Sequence, residues 1–290
     1  MKHIYLFSFL LLMLIVACKK KTEEVIIPDN NAAKDTSVNS VLIESYINKS
    51  YIALLGRKPT SAEQTNHKAT LVNASINITT RTTFIQQLQA IAEYKEHLYA
   101  IARAQLLNDV DTNEIEGYKQ SNLQQLQDTS KRAYWYVIQQ DYDDLVNLQN
   151  IPYQLTNNTL SVQEMYMRCC SNTFYDQINM GTQNFVTSVF DHFMFRYPTQ
   201  DELQNSKTMV DGASASILFT AGKSKKDFLT IVMSSNNYYE GQVRDLVKRY
   251  FYRAATITEL SSLTQQYATS KNYQQLQLTL LISNEYVGIK

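Results

Sequence analysis

An all-α fold is predicted by three features of this 290-residue chain. Apolar residues recur three and four apart, as in Val243, Leu246, Val247, Tyr250 and Phe251, or Phe84, Leu88 and Ile91. That spacing lays each set on one helical face. Glycine and proline are scarce, at 7 and 4, and no Asn-Gly or Asp-Gly hairpin signal separates alternating strands. The third feature is a corner written three times: Arg57-Lys58-Pro59-Thr60-Ser61-Ala62-Glu63, Arg196-Tyr197-Pro198-Thr199-Gln200-Asp201-Glu202 and Arg253-Ala254-Ala255-Thr256-Ile257-Thr258-Glu259. The expected architecture is a helical repeat-like bundle of about a dozen helices with three Arg-x-x-Thr-x-x-Glu corners and an aromatic-rich helical insertion. It stands behind a signal peptide and a disordered tether.

The first element is the N-terminus. Met1-Lys2-His3 is a basic start, and the apolar run Ile4 to Ala17 has 14 residues, fewer than the roughly 20 that span a bilayer as a helix. Residues 1–17 therefore read as a secretory signal. Ile15-Val16-Ala17-Cys18 resembles the lipobox of bacterial lipoproteins. The resemblance implies a thioether-linked diacylglycerol on Cys18 and cleavage that leaves Cys18 as the first residue. Two or three acyl chains anchor a protein stably, and Lys19, Lys20 and Lys21 would then sit beside lipid headgroups. By analogy with lipoprotein sorting, Lys19 next to the lipid-bearing cysteine points to the outer membrane of a bacterial envelope, with the periplasmic and surface faces both open.

Without Lys2 the 27 basic residues become 26 against 27 acidic ones, a net charge of −1. No basic excess is left to hold nucleic acid. Residues 18–40 are charged and polar and contain Pro28-Asp29-Asn30-Asn31; such composition buries too little apolar surface to order itself. They read as a tether.

The three corners follow from capping chemistry. Thr60, Thr199 and Thr256 each precede a glutamate by three residues, Glu63, Glu202 and Glu259, which is the capping-box spacing. Pro59 and Pro198 stop the preceding helix. Arg57, Arg196 and Arg253 are expected in its last turn, where a cation favours the negative helix end and reaches the capping glutamate. Ala255 replaces proline in the third copy, so that corner is expected to be looser. Beyond each corner, Phe84 and Tyr94, Phe228 and Tyr238, and Leu276 and Tyr286 stand ten apart. The unit then reads as helix, corner, second helix, polar loop, and a third helix ending in tyrosine. The divisions that result are 41–98 for the first repeat, 99–180 for the insertion and 181–290 for the second and third repeats. Units of this length bury their faces against one another.

Tyr51-Ile52-Ala53-Leu54-Leu55-Gly56-Arg57-Lys58-Pro59-Thr60, with Ser283-Asn284-Glu285-Tyr286, resembles a short helical repeat of unknown function in secreted and surface bacterial proteins. That repeat carries Leu-Tyr-x-x-Leu-Leu-Gly-Arg-x-Pro-Asp and a later Ser-x-Glu-Tyr. The resemblance covers about residues 42–98 and 185–290. Phe195 and Tyr252 stand where the first copy has Gly56. A weaker similarity runs to helical domains of some haem-linked secreted proteins, but the chain has no Cys-x-x-Cys-His for a covalent haem.

The insertion holds the only tryptophan, in Tyr134-Trp135-Tyr136, and these three are the candidate partner contacts. Candidate chemistry is otherwise sparse. From Asp109, an EF-hand loop would need Gly at position 6 and Glu at position 12, where the chain has Glu114 and Gln120. Cys169 and Cys170 are adjacent and read as buried, inert thiols. His67, His97 and His192 share no metal-ligand spacing, and no nucleophile elbow, Walker loop or dinucleotide fingerprint occurs. No catalytic residue, metal site or cofactor is expected. Cys18 is the one modified residue. The reading is a membrane-anchored, non-catalytic scaffold for another envelope or secreted protein. The alternative is a glycan-active enzyme or an accessory subunit of a secreted cofactor-dependent complex.

Overall fold

Helix α1, Thr36–Leu55, opens the part of the chain that the computed structural model describes, residues 36–289. The signal at 1–17, Cys18 and most of the tether lie outside the described residues. The last five tether residues are helical rather than irregular. The chain continues through α2 (Ser61–Asn73), α3 (Ile78–Ala90), α4 (Ala92–Leu107) and α5 (Thr112–Gln127). A 3-10 turn (Thr129–Tyr134) leads to α6 (Trp135–Gln149), α7 (Ile151–Thr156), α8 (Val162–Cys170) and α9 (Thr173–Ile178). Then come α10 (Thr182–Met194), α11 (Gln200–Val210), strands β1 (Ala215–Ile217) and β2 (Thr220–Gly222), α12 (Lys225–Met233), α13 (Asn236–Phe251), α14 (Ile257–Ser270), α15 (Tyr273–Leu281) and α16 (Asn284–Val287). The fold is all-α. Residues from Asn39 onward form one compact unit.

All three corners carry a full capping box. In each, the threonine hydroxyl accepts from the glutamate amide at 3.2–3.3 Å and the glutamate carboxylate accepts from the threonine amide at 2.7–2.8 Å. The arginines are not in the last helical turn. They stand two residues past it, beyond a left-handed residue that reverses the chain: Gly56 at φ +72°, Phe195 at +52° and Tyr252 at +57°. The amides of these residues donate to Ile52, Asp191 and Lys248 four residues back, the αL helix stop. The reversal turns each guanidinium onto the capping glutamate as a two-pronged pair at 2.7–2.9 Å. The third corner is no looser than the others, because arginine, threonine and glutamate make the turn and proline only narrows the unfolded alternatives. Thr199→Ala is expected to lower stability by about 1 kcal/mol; an unchanged urea midpoint would remove this account of the corner.

The closing tyrosines need a correction. Tyr94, Tyr238 and Tyr286 do not end a third helix; they sit in the first turn of the next one. Ser235 and Ser283 are N-caps whose hydroxyls accept from the amides of Tyr238 and Tyr286. Ile91 is an extended break residue and is exposed, unlike Phe84 and Leu88. These breaks and several helices of four to six residues raise the helix count above a dozen. Residue 98 lies inside α4, so the first repeat and the insertion share that helix.

The breaks also reveal a fourth member of the corner. Glu93 and Glu285, just before two of the tyrosines, accept from Arg57 and Arg253 at 2.6–3.0 Å. Each guanidinium thus bridges two carboxylates, joining a corner to the helix two elements later. The middle copy has Asn237 at that place, and Arg196 holds Glu202 alone. Hydrogen bonds from Arg57 and Arg253 pull the Glu63 and Glu259 carboxyls down to about 2 from 4.5. A carboxyl whose folded pKa is depressed contributes stability above its unfolded pKa and loses it as pH falls through the folded value. Stability should therefore fall between about pH 4.5 and pH 2. A Glu63→Gln/Glu259→Gln protein should be weaker at neutral pH and flatter across that window, as read by urea melts at each pH.

The sequence also concealed a hairpin. β1 and β2 pair antiparallel, Ala215 opposite Gly222 and Ile217 opposite Thr220. The two residues between them, Leu218 and Phe219, are both left-handed at φ +49° and +64°, a type I′ turn without its usual Asn-Gly.

The first repeat packs on the third rather than on the second. Tyr46 of α1 meets Phe84 of α3 and Tyr286 of α16 edge-on. Arg81 is buried and donates to the Ile282 carbonyl at 2.6 Å and to Asn284 at 3.0 Å. Gln89 donates to the Gln274 carbonyl. The chain thus closes on itself across more than 180 residues of sequence, and α4 to α9 lie between the paired ends of the repeat set in sequence.

Candidate functional site

The insertion builds a two-helix arm. Its start is fixed by a capping box: the Asp111 carboxylate accepts from the Glu114 amide, and Glu114 from that of Asp111. The acidic run 108–116 is thus committed to starting α5. At its base, Ile115 of α5 and Leu145 and Leu148 of α6 are buried. Outward from there, between Glu116 and Asp144, Asn122 is the one buried residue. It donates to Asp141 across the pair at 2.6 Å. Lys119 joins the helices lower down, donating to Gln149 at 2.7 Å and Glu116 at 2.8 Å.

The tip separates the three aromatic candidates. Tyr134 is 66% and Tyr136 80% exposed, and Val137 beside them is exposed too. Trp135 is half-buried, its indole N–H donating to the Asp128 carbonyl at 3.2 Å. Trp135 therefore braces the turn, and Tyr134 and Tyr136 are the groups left facing outward. An arm with so small a core leaves Tyr134 and Tyr136 exposed, Tyr136 also bordering a cavity beside the arm.

A cavity of about 600 Å³ opens between α6, α8 and the start of α12, with Tyr136 and Asp144 on one side and Glu164, Lys225 and Lys226 on the others. Burial raises the Asp144 carboxyl to about 6. Glu164 is engaged by the Ser161 cap, and Lys225 pairs with Asp176 outside. One uncommitted carboxylate is not the pair that glycosidic chemistry needs.

The other candidates are placed as follows. Cys169 and Cys170 are fully buried free thiols, and burial pushes Cys169 up to about 12 and raises Cys170. Thiols held protonated in this way are poor nucleophiles. His67 meets the Tyr51 hydroxyl at 3.0 Å, His192 meets that of Tyr175 at 3.0 Å, and His97 lies against Gly56. Burial lowers the pKa of all three. The corner sets stay in three separate places and serve as joints. Among the described residues, no group of three or more His, Cys, Asp and Glu side chains is placed to hold a metal ion, and no helix is long and apolar enough to cross a membrane.

Comparison with family models, with curated proteins and with solved structures finds no match to this chain.

Proposed function

We propose that this chain is a bacterial envelope lipoprotein, anchored through a lipidated Cys18, whose arm holds another envelope or secreted protein. The observation that carries the reading is the pair of exposed tyrosines at the arm tip. Tyrosine supplies a large contact face with a polar edge and is enriched where proteins meet. The Ile15-Val16-Ala17-Cys18 sequence supports the anchor.

A photo-crosslinking residue at position 136, in intact cells, should capture one dominant protein. Tyr134→Ala/Tyr136→Ala should abolish the adduct formed by a crosslinker at Val137 while leaving the unfolding temperature unchanged. An adduct that survives both substitutions would refute the arm as the contact. Separately, Cys18→Ser should move the protein out of the membrane fraction; a variant still fully membrane-bound would count against lipidation.

A further inference from the structure

We propose that a second, smaller cavity, enclosed by α4, α8, α10 and α13, binds one neutral saccharide ring. Its volume is about 280 Å³, just below the range for drug-sized ligands and so suited to a single ring. Nothing in the arm contributes to it.

The first observation is a buried polar group. Gln242 lines the cavity from α13 and is only 4% exposed. Its amide is not among the buried polar atoms sealed away without a partner; it stands on the cavity wall, where a bound hydroxyl could meet both its donor and its acceptor. Asp245 and Arg249 follow on the same face of α13 and line the same wall, locked together at 2.6 Å. An amide, a carboxylate and a guanidinium held in a row offer alternating acceptors and donors. Adjacent ring hydroxyls, each able to donate and accept, match such a row.

The second observation is an aromatic wall held at a conformational cost. Phe195 lines the mouth of the cavity, 45% exposed, with left-handed backbone at φ +52°. The first corner fills the equivalent place with Gly56. Tyr252 shares the conformation at the third corner, where it is the ordinary helix stop; at Phe195 the same reversal sets the ring against the cavity. Phe195 and Tyr166 give the cavity an apolar face for the C–H side of a sugar ring.

Charge narrows the ligand class. Asp191 and Asp245 outweigh Arg249 by one formal negative charge, and burial holds His192 below its usual pKa, so it is neutral at pH 7. Phosphates and carboxylates are disfavoured.

The test uses the purified full chain in saturation-transfer NMR, with glucose, galactose, mannose and N-acetylglucosamine as probes beside glucuronic acid and glucosamine. At least one neutral sugar should saturate, and its binding should weaken about tenfold or more in Phe195→Gly and in Gln242→Leu, as expected when a stacking face or a buried hydrogen bond is lost. Phe195→Gly should at the same time unfold no earlier than the parent, since glycine relieves the left-handed backbone. Tyr134→Ala/Tyr136→Ala should bind sugar like the parent. The proposal is overturned if no neutral sugar saturates, if glucuronic acid or glucosamine binds more tightly, or if the folded Phe195→Gly protein binds unchanged.

Discussion

Gly241→Ala is expected to destabilise the protein by about 2 kcal/mol or more, although alanine is the better helix former. Gly241 lies in α13 where it crosses the end of α10. A Cβ there would stand 2.2 Å from the Phe193 carbonyl oxygen and 2.8 Å from the Met194 Cα. Both are backbone atoms, so no rotamer change relieves the clash and α10 must move. The crossing carries buried Phe193 and Tyr238, so displacement loosens the packing between the second and third repeats. Helix propensity returns at most about 1 kcal/mol. Gly117 in α5 supplies the control, for a Cβ there meets nothing within 4 Å. Gly117→Ala should stabilise by about 0.5–1 kcal/mol. At about 2–4 °C per kcal/mol for a fold of this size, the two alanines should shift Tm in opposite directions. Equal shifts would mean that helix propensity, and not the crossing, governs both sites.

The difference between these glycines shows where sequence reasoning stops. Both are lone glycines in helical stretches, and nothing local distinguishes them. The helices, the capping boxes and the division into corners depend on residues within six positions of one another and were legible. Glu93 and Glu285 were present in the Glu-Tyr signature, but their pairing with Arg57 and Arg253 spans 36 and 32 residues and depends on the fold. Tyr238 and Tyr286 read as helix ends because a serine N-cap inside an apolar stretch leaves the 3.6-residue periodicity almost unbroken, and before Tyr94 the break is the apolar Ile91 itself. The hairpin leaves no signal in the sequence, because Leu218 and Phe219 take backbone angles that usually mark asparagine and glycine. At the arm, the aromatic cluster was visible in sequence; which ring braces the turn and which two face outward depends on one indole hydrogen bond. Gln242 gave no signal at all, since a buried amide and a surface amide look alike in a row of letters.

Gln277→Leu should be among the most damaging single changes outside the apolar core, lowering stability by about 2–5 kcal/mol. Gln277 lies on the buried face of α15 between two tyrosines from other parts of the chain. The Tyr94 hydroxyl donates to its Oε1 at 2.5 Å, and its Nε2 donates to the Tyr250 hydroxyl at 2.7 Å. All three residues are buried. This one amide therefore joins α4 to α15 and α15 to α13, holding the first repeat to the third where the chain closes. Leucine keeps most of the volume and removes both bonds, leaving two phenolic hydroxyls buried without those partners, at about 1–3 kcal/mol each. The mechanism is separable from packing. If orphaned hydroxyls cause the loss, adding Tyr94→Phe and Tyr250→Phe should recover much of it, because replacing all the polar partners together leaves nothing unsatisfied. If the triple variant is instead weaker than Gln277→Leu alone, then the hydroxyls have other partners and the closure rests on shape. Urea midpoints of the single, the two double and the triple variants decide between these, and constant m-values across the set would show that each still unfolds as one unit.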